Sequence, residues 1–574
     1  MVIRMARMEP LPFDDSRSRP RIPLDYRVKL FSIAVAVLTP LFPAAHAQDI
    51  DPARPNVLII VADDLGYSDL GAYGGEIETP NIDALAESGL MFTSFYANAS
   101  CSPTRAMLLS GTDNHVAGVG MMYEIRSRAP ADAVIPTAYD GYLGLQIATL
   151  PEVLQDHGYA TIMAGKWHLG YAPAYFPNNR GFDHSFALLE GGAAHFRQEN
   201  MAGLQGWSTT WVEDGLPAEL PEDFYSSHFL TDYLIEHIGN GDGAAPFFAY
   251  AAYTAPHWPV QAPAGDIARY RGRYDAGYEA VMAERLARQQ SLGIARIDTP
   301  PVPMLERITP WEAMSDEDRA VAAREMEAYA GMVTALDREI GRLIDHLRDT
   351  GQYESTIIVF LSDNGAEGFE RANDEFLARF DTSLENVGHR DSFVEYGPGW
   401  AQVSSTPNRM WKLTGFEGGN RVPAFIHYPS RVALGMTDTF ATVMDLYPTI
   451  LELTGAVHPG SEFRGRAVAP IQGVSLVPFL EGEARQAHPL DFAVGFEVNG
   501  HASLHTDGWK IVYSGEFTDS RWQLFDMNSG AGERVDLSTS NSERLATMLR
   551  LWTDFATRNA VVIGDEDDRP QLPF

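Results

Sequence analysis

Asn56-Val57-Leu58-Ile59-Ile60-Val61-Ala62, followed at once by Asp63-Asp64, is the stretch that decides the fold. An apolar run of this length without alternation describes a strand buried on both faces, the kind found in α/β sheets. The same grammar returns at Thr356-Ile357-Ile358-Val359-Phe360-Leu361-Ser362, followed by Asp363-Asn364. Ahead of it, Met332, Val333, Leu336, Ile340, Leu343, Ile344 and Leu347 fall at helical spacing and Gly351 follows the last turn, so a helix feeds this strand. Residues 159–165 form a further strand leading into Lys166-Trp167-His168, and 247–253 lead into Pro256-His257-Trp258. Each time, polar residues stand just past the C-terminal end of a buried strand, where open α/β sheets build their ligand sites. The repetition implies one site assembled from distant parts of the chain.

The expected fold class is therefore α/β: a large central mixed, mostly parallel sheet flanked by helices. Its domain is expected over residues 52–485. Segments 195–245 and 262–325 break the rhythm with Gly, Pro and acidic residues. They read as insertions above the sheet edge that shape a pocket, with a helix over 278–290. Beyond residue 486 the pattern changes to short strands, at 509–513 and 522–526, and then a helix over 542–555. That describes a smaller C-terminal α+β subdomain, 486–574, built on an antiparallel sheet.

With 45% hydrophobic residues the 574-residue chain has ample material for a core, and its formal charge of −34 argues against nucleic acid as a partner. An anionic substrate would need a local cluster of cations. At the N-terminus, Arg27 and Lys29 precede an apolar stretch over 30–42, and Ala45-His46-Ala47 offers small residues for cleavage. Residues 1–47 thus read as an export signal with a long polar leading region, giving a periplasmic or secreted protein. An uncleaved anchor is the rival; after cleavage no stable membrane span is expected, and a monomer is the default.

Asp63, Asp64, Asp363 and Asn364 offer only oxygen ligands, which suits a hard divalent cation, Ca²⁺ or Mg²⁺, rather than zinc. A single Asp past a strand is ordinarily a cap or turn former; two such pairs favour the metal. Oxygen ligands alone do not choose between the two ions. Cys101 is the only cysteine, so it cannot form an internal disulfide. Pro103 and the run 106–109 place it near a helix N-terminus, with Arg105 one turn further on. The ordinary fate of a free cysteine is burial as a small hydrophobe; here a nucleophile beside an anion cradle is the stronger reading. Lys166 and His168 alternate on an extended segment and would face one way, with Trp167 facing into packing. His115, His184 and His195 read as hydrogen-bonded structural histidines. His257 and Lys412 are unspecific by themselves.

These residues carry a resemblance. Cys101-Ser102-Pro103-Thr104-Arg105-Ala106-Met107-Leu108-Leu109-Ser110-Gly111 resembles the C/S-x-P-x-R signature of the type I, formylglycine-dependent sulfatases, within the alkaline phosphatase superfamily. The segment 158–170 is similar to the second family signature. Similarity extends to 61–64, 362–365, 418–423 and 473–476, and 111–115 and 255–259 resemble secreted bacterial arylsulfatases. The resemblance implies that Cys101 is converted by a formylglycine-generating enzyme to Cα-formylglycine, whose hydrate attacks sulfur and also ligates the metal. Asp63, Asp64, Asp363 and Asn364 would hold Ca²⁺, with Mg²⁺ the less favoured ion. Asp363 would take the attacking hydroxyl's proton, and Arg105 and Lys166 would fix the hydrate. His168 would deprotonate its second hydroxyl as sulfate leaves, while His257 and Lys412 would bind sulfate oxygens and assist the leaving group. The implied substrate is a small sulfate ester, an aryl sulfate first.

Two other readings compete. A phosphonate monoester or phosphodiester hydrolase of the same superfamily can share the first signature, but often has His at the position of Asn364. An inactive secreted carbohydrate-binding relative would have lost at least one catalytic position, and none is lost here.

Overall fold

The computed structural model describes residues 54–197, 209–239, 245–529, 532–564 and 569–572. The export signal read over 1–47 lies outside them. Among the described residues, no helix is long and apolar enough to cross a membrane.

One mixed, mostly parallel sheet organises the chain. Its order is β10 (Gly435–Thr437), β2 (Leu90–Tyr96), β9 (Arg421–His427), β8 (Thr356–Ser362), β1 (Asn56–Ala62), β7 (Phe247–Ala252), β3 (Ala160–Lys166), β4 (His184–Leu188), β5 (Trp211–Glu213) and β6 (Leu216–Pro217). A further short strand, β11 (Ala441–Thr442), also pairs with β2. The block β8-β1-β7-β3-β4 is parallel throughout, and β9 runs antiparallel between β8 and β2. The unbroken apolar run of β1 has a simple cause. Leu58, Ile60 and Ala62 enter the core on one face of the sheet, and Val57, Ile59 and Val61 enter the core on the other.

The expected helix before β8 runs over Asp316–Asp349, longer than its apolar spacing suggests because Ala322 and Ala323 extend the buried stripe toward the N-terminus. Ser315 caps it by accepting from the Asp318 amide, and Asp316, Glu317 and Asp318 complement the positive end of its dipole. Segment 195–245 departs from the expectation of a pocket-shaping insertion. It contains a crossover helix, Ser226–Gly239, that packs on β3, β7 and the 316–349 helix and buries Leu230, Leu234 and Ile238. Those three residues lie at helical spacing, so the signal was present but masked by the surrounding Gly and acidic residues. In 262–325 the helix Tyr278–Leu292 forms as expected, and Tyr278 and Trp311 pack edge-on against Trp400.

A hairpin of two short strands, β12 (Glu462–Phe463) and β13 (Arg466–Ala467), precedes the C-terminal region. There β14 (Ala493–Val498), β15 (His501–Thr506), β16 (Trp509–Tyr513) and β17 (Gln523–Asp526) form an antiparallel meander. The helix Ser542–Asn559 covers it with Met548, Trp552 and Phe555. This smaller sheet is tied to the larger one by buried charges. Lys510 on β16 bonds Glu417 and Glu533, each at 2.8 Å. Glu497 on β14 receives His115 Nε2 at 2.6 Å, while His115 Nδ1 lies 2.9 Å from Asp113.

The His115 clamp gives a pH signature. Burial disfavours its charge, but Asp113 and Glu497 outweigh that and push its pKa from 6.5 to about 9. A pKa higher in the folded state stabilises fully below the unfolded value and is lost as pH rises through the folded one. Wild-type melting temperature should therefore fall, relative to His115→Gln, between pH 6.5 and about 9. Thermal melts across that range check this; a constant difference between the two proteins would refute it.

Candidate active site

The parallel register brings the polar segments together. Ala62 pairs with Ser362, Val61 with Ala252, and Ala252 with Gly165, so Asp63, Asp363, Lys166 and the 254–257 turn emerge at one edge. Cys101 opens the helix Cys101–Ser110, and the side chain of the N-cap residue Ser100 makes no capping hydrogen bond to its first turn. Every residue of that helix is buried.

Three carboxylates here meet three cations. Lys166 Nζ lies 2.9 and 2.8 Å from the two oxygens of Asp63. Lys412 Nζ lies 2.7 and 2.9 Å from those of Asp64. Arg105 donates Nε to one oxygen of Asp363 at 2.8 Å and Nη1 to the Lys166 carbonyl at 2.8 Å, and its Nη2 lies in ion-pair range of the same Asp363 oxygen at 2.7 Å. Cys101 Sγ stands 3.9 Å from Asp64 Oδ1. Burial pushes the thiol up to about 12, against the pull of Lys166 and Lys412. Burial likewise opposes charge on both lysines, yet Asp63 and Asp64 keep them protonated.

The carboxylate and amide oxygens at this edge suit a hard cation. Oxygens of Asp63 and Asp64, Cys101 Sγ and a His257 ring nitrogen all lie within 4.8 Å of one another. Asn364 donates Nδ2 to Asp64 Oδ1 at 2.7 Å, while its own Oδ1 is buried without a hydrogen-bond partner. A buried carbonyl oxygen beside two carboxylates is a position a cation would satisfy. Asp363 is not in that group: one of its oxygens accepts the Asp64 amide at 3.3 Å and the other accepts from Arg105.

Both histidines have fixed tautomers. His257 Nδ1 donates to the Trp258 carbonyl at 2.6 Å, leaving Nε2 bare, 3.7 Å from Asp64. Burial, with Lys166 and Lys412 nearby, holds its pKa well below 6.5. His168 turns away from the expected extended alternation: its φ is 55°, in the left-handed region. Its Nε2 faces Glu124 at 3.1 Å, and Nδ1 is the unpartnered nitrogen. Glu124, in contact with His168 and bonded by Tyr171, is held down near 2 in spite of burial, whereas burial lowers the pKa of His168 itself. Trp167 is buried as expected and bonds the Tyr175 carbonyl. Sequence reading missed Glu124, which sits in the short helix Tyr123–Arg126 without a motif. It also missed Glu367, three residues past Asn364, which lies 3.5 Å from Lys412 Nζ. His115 and His195 are buried and hydrogen-bonded as structural residues, whereas His184 is half exposed beside Asp214.

The sulfatase family model matches residues 55–456. This chain belongs to the sulfatase family. The sulfatase is 40% identical over 539 residues to an uncharacterized sulfatase of Schizosaccharomyces pombe, covering 91% of this chain and 97% of the relative. It is also 40% identical over 452 residues to an arylsulfatase of Klebsiella aerogenes, covering 78% and 96%. Among solved structures it resembles the Ps i-CgsB complex with k-i-k-neocarrahexaose, at a TM-score of 0.63 and 26% identity, covering 88% of this chain and 93% of that one. The family and its members support sulfate ester hydrolysis by this sulfatase.

Tight glycine contacts hold the two site loops. A Cβ on Gly365 would stand 1.7 Å from the Gly418 carbonyl oxygen, and one on Gly368 would stand 2.4 Å from the Trp411 ring. Gly365→Ala should therefore cost about 1–3 kcal/mol by overpacking. By displacing Asn364 and Lys412 it should also lower sulfatase activity by about 10²-fold. Thermal melts and initial rates check both; wild-type activity would show that the loops can separate freely.

Proposed function

We propose that this sulfatase cleaves sulfate monoesters of compact alcohols, aryl sulfates first, through a formylglycine derived from Cys101, and that it is exported. The single observation that carries this reading is the set of six buried charges around Cys101. Three carboxylates balance three cations. A bound divalent cation and a monoanionic ester would leave the site slightly positive, which suits the negative charge that develops as a sulfate ester breaks. The likeness to the Klebsiella arylsulfatase supports the aryl preference.

Asp63, Asp64, Asp363 and Asn364 would hold Ca²⁺. Such an ion supplies charge neutralisation at sulfate oxygens and lowers the pKa of a coordinated hydroxyl. The protein's own groups do the rest. Arg105, locked by Asp363 and the Lys166 carbonyl, fixes the nucleophile's position from one helical turn away. Lys166 brings its ammonium beside Cys101 on the Asp63 side. His168, oriented by Glu124, is arranged to take a proton at Nδ1. Lys412 can donate to sulfate oxygens, and His257, whose Nε2 is unprotonated in the free protein, would take up a proton there only once the anionic ester is bound and return it to the leaving oxygen. Because Cys101 is 1% exposed, its oxidation must precede closure of the chain.

Mass spectrometry of the peptide spanning residue 101, from protein made beside a formylglycine-generating enzyme, should show the aldehyde. Cys101→Ala should abolish turnover of an aryl sulfate, and Lys166→Ala should cost about 10²–10³ in rate. An intact thiol in fully active enzyme would overturn the mechanism. A much higher kcat/KM for an aryl phosphonate than for an aryl sulfate would overturn the substrate class. Chelation should remove activity and lower the melting temperature, with Ca²⁺ restoring both.

A further inference from the structure

We propose that Glu367 is a positioning residue for this reaction: it holds the Lys412 ammonium at the site and couples it to the loop that carries His257. The inference rests on the sulfatase reading above, in which Lys412 and His257 meet the sulfate group. Lys412 is 3% exposed, and its ammonium has two carboxylates within ion-pair distance among the described residues. Asp64 is the nearer, at 2.7 Å, and Glu367 stands at 3.5 Å. Asp64 is also a cation ligand in the proposed site. A carboxylate committed to a metal neutralises a neighbouring ammonium less well, and a buried cation left without a counter-ion is costly. Glu367 is the carboxylate that remains.

Its own position is fixed from several sides. Glu367 is 5% exposed, and one of its oxygens accepts the Phe369 amide at 2.8 Å. The other faces Arg371 Nη1 at 2.9 Å as well as Lys412. The Arg371 guanidinium lies over the Trp258 ring, 5.6 Å from its centre, and Trp258 supplies the carbonyl that sets the His257 tautomer. The Lys412 backbone is pinned to the same loop, since its amide donates to the Ala366 carbonyl at 3.0 Å. With no room for a side chain at Gly365 or Gly368, the two loops pack in direct contact. One carboxylate thus links the ammonium to the wall that orients the imidazole. Its place three residues past the Asp363-Asn364 pair makes it part of the same loop as the proposed metal ligands.

The test is a double-mutant cycle in protein whose residue-101 modification and metal content are verified. Glu367→Gln should lower kcat/KM about 10–100-fold. The loss should be larger for phenyl sulfate than for 4-nitrophenyl sulfate, because the poorer leaving group depends more on the misplaced ammonium. Glu367→Gln/Lys412→Ala should be no slower than Lys412→Ala alone, since both changes act through one group. Calorimetric titration with inorganic sulfate should show the same non-additivity in affinity, a readout that needs no turnover. Glu367→Asp, which keeps the charge, should recover part of the rate and serves as the second variant if Gln destabilises the fold. Multiplying effects of the two substitutions, or wild-type rates in Glu367→Gln, would overturn the inference. If Lys412→Ala alone matched wild type on aryl sulfate, the assignment of Lys412 would fall and this inference with it, with the sulfatase reading intact. If aryl sulfates were not turned over at all, that reading would have failed instead, and the sulfate titration would still decide the coupling.

Discussion

Three buried ion pairs, Asp63 with Lys166, Asp64 with Lys412 and Asp363 with Arg105, tie the parts of this protein to one another. None of the six charges could be buried alone, because a charge in the protein interior without a partner costs several kcal/mol. Their partners come from β1, β3, β8, the 101–110 helix and the loop before β9, segments up to several hundred residues apart. The strands therefore have to arrive in one register for any of the charges to be tolerated. Fold and site are conditions of each other here, and the parallel block β8-β1-β7-β3 is the arrangement that meets both.

The backbone is strained around the candidate site. Asp64 and His168 occupy left-handed conformations, as do Met410 and Leu413 on either side of Lys412. Each such residue without a glycine's freedom costs of order 1–3 kcal/mol and persists only where its surroundings over-determine it. Those surroundings are visible. The Leu413 amide donates to the Ala99 carbonyl, and Asn98 reaches the Glu497 carbonyl on β14 at 3.2 Å. The C-terminal sheet thus buttresses the loop that leads into Cys101, which gives the smaller sheet a role in the site without supplying a catalytic group.

Much of the architecture was legible because buried parallel strands have a strong signature. The runs at 56–62 and 356–362 became β1 and β8 with those bounds. Reading failed where local composition and tertiary role disagree. The helix at 226–239 was hidden between Gly-rich and acidic stretches, yet packing against β3 and β7 fixes it in the outer layer. His168 was expected to alternate with Lys166 along a strand. Its left-handed φ instead turns the ring to Glu124, a partner 44 residues away that no spacing announces.

Sequence by itself singled out the candidate residues of the site. Carboxylates past buried strands, one cysteine before a proline and an arginine, and a Lys-Trp-His turn are statements about residue type and neighbour, and these survive without coordinates. Tertiary structure alone decided how the charges are matched, which nitrogen of each histidine is free, and that Glu124 and Glu367 stand behind His168 and Lys412. The reason is physical. Local sequence fixes the ends of strands and helices, but ion pairing and hydrogen bonding in a buried site depend on distances between segments that only the closed sheet sets.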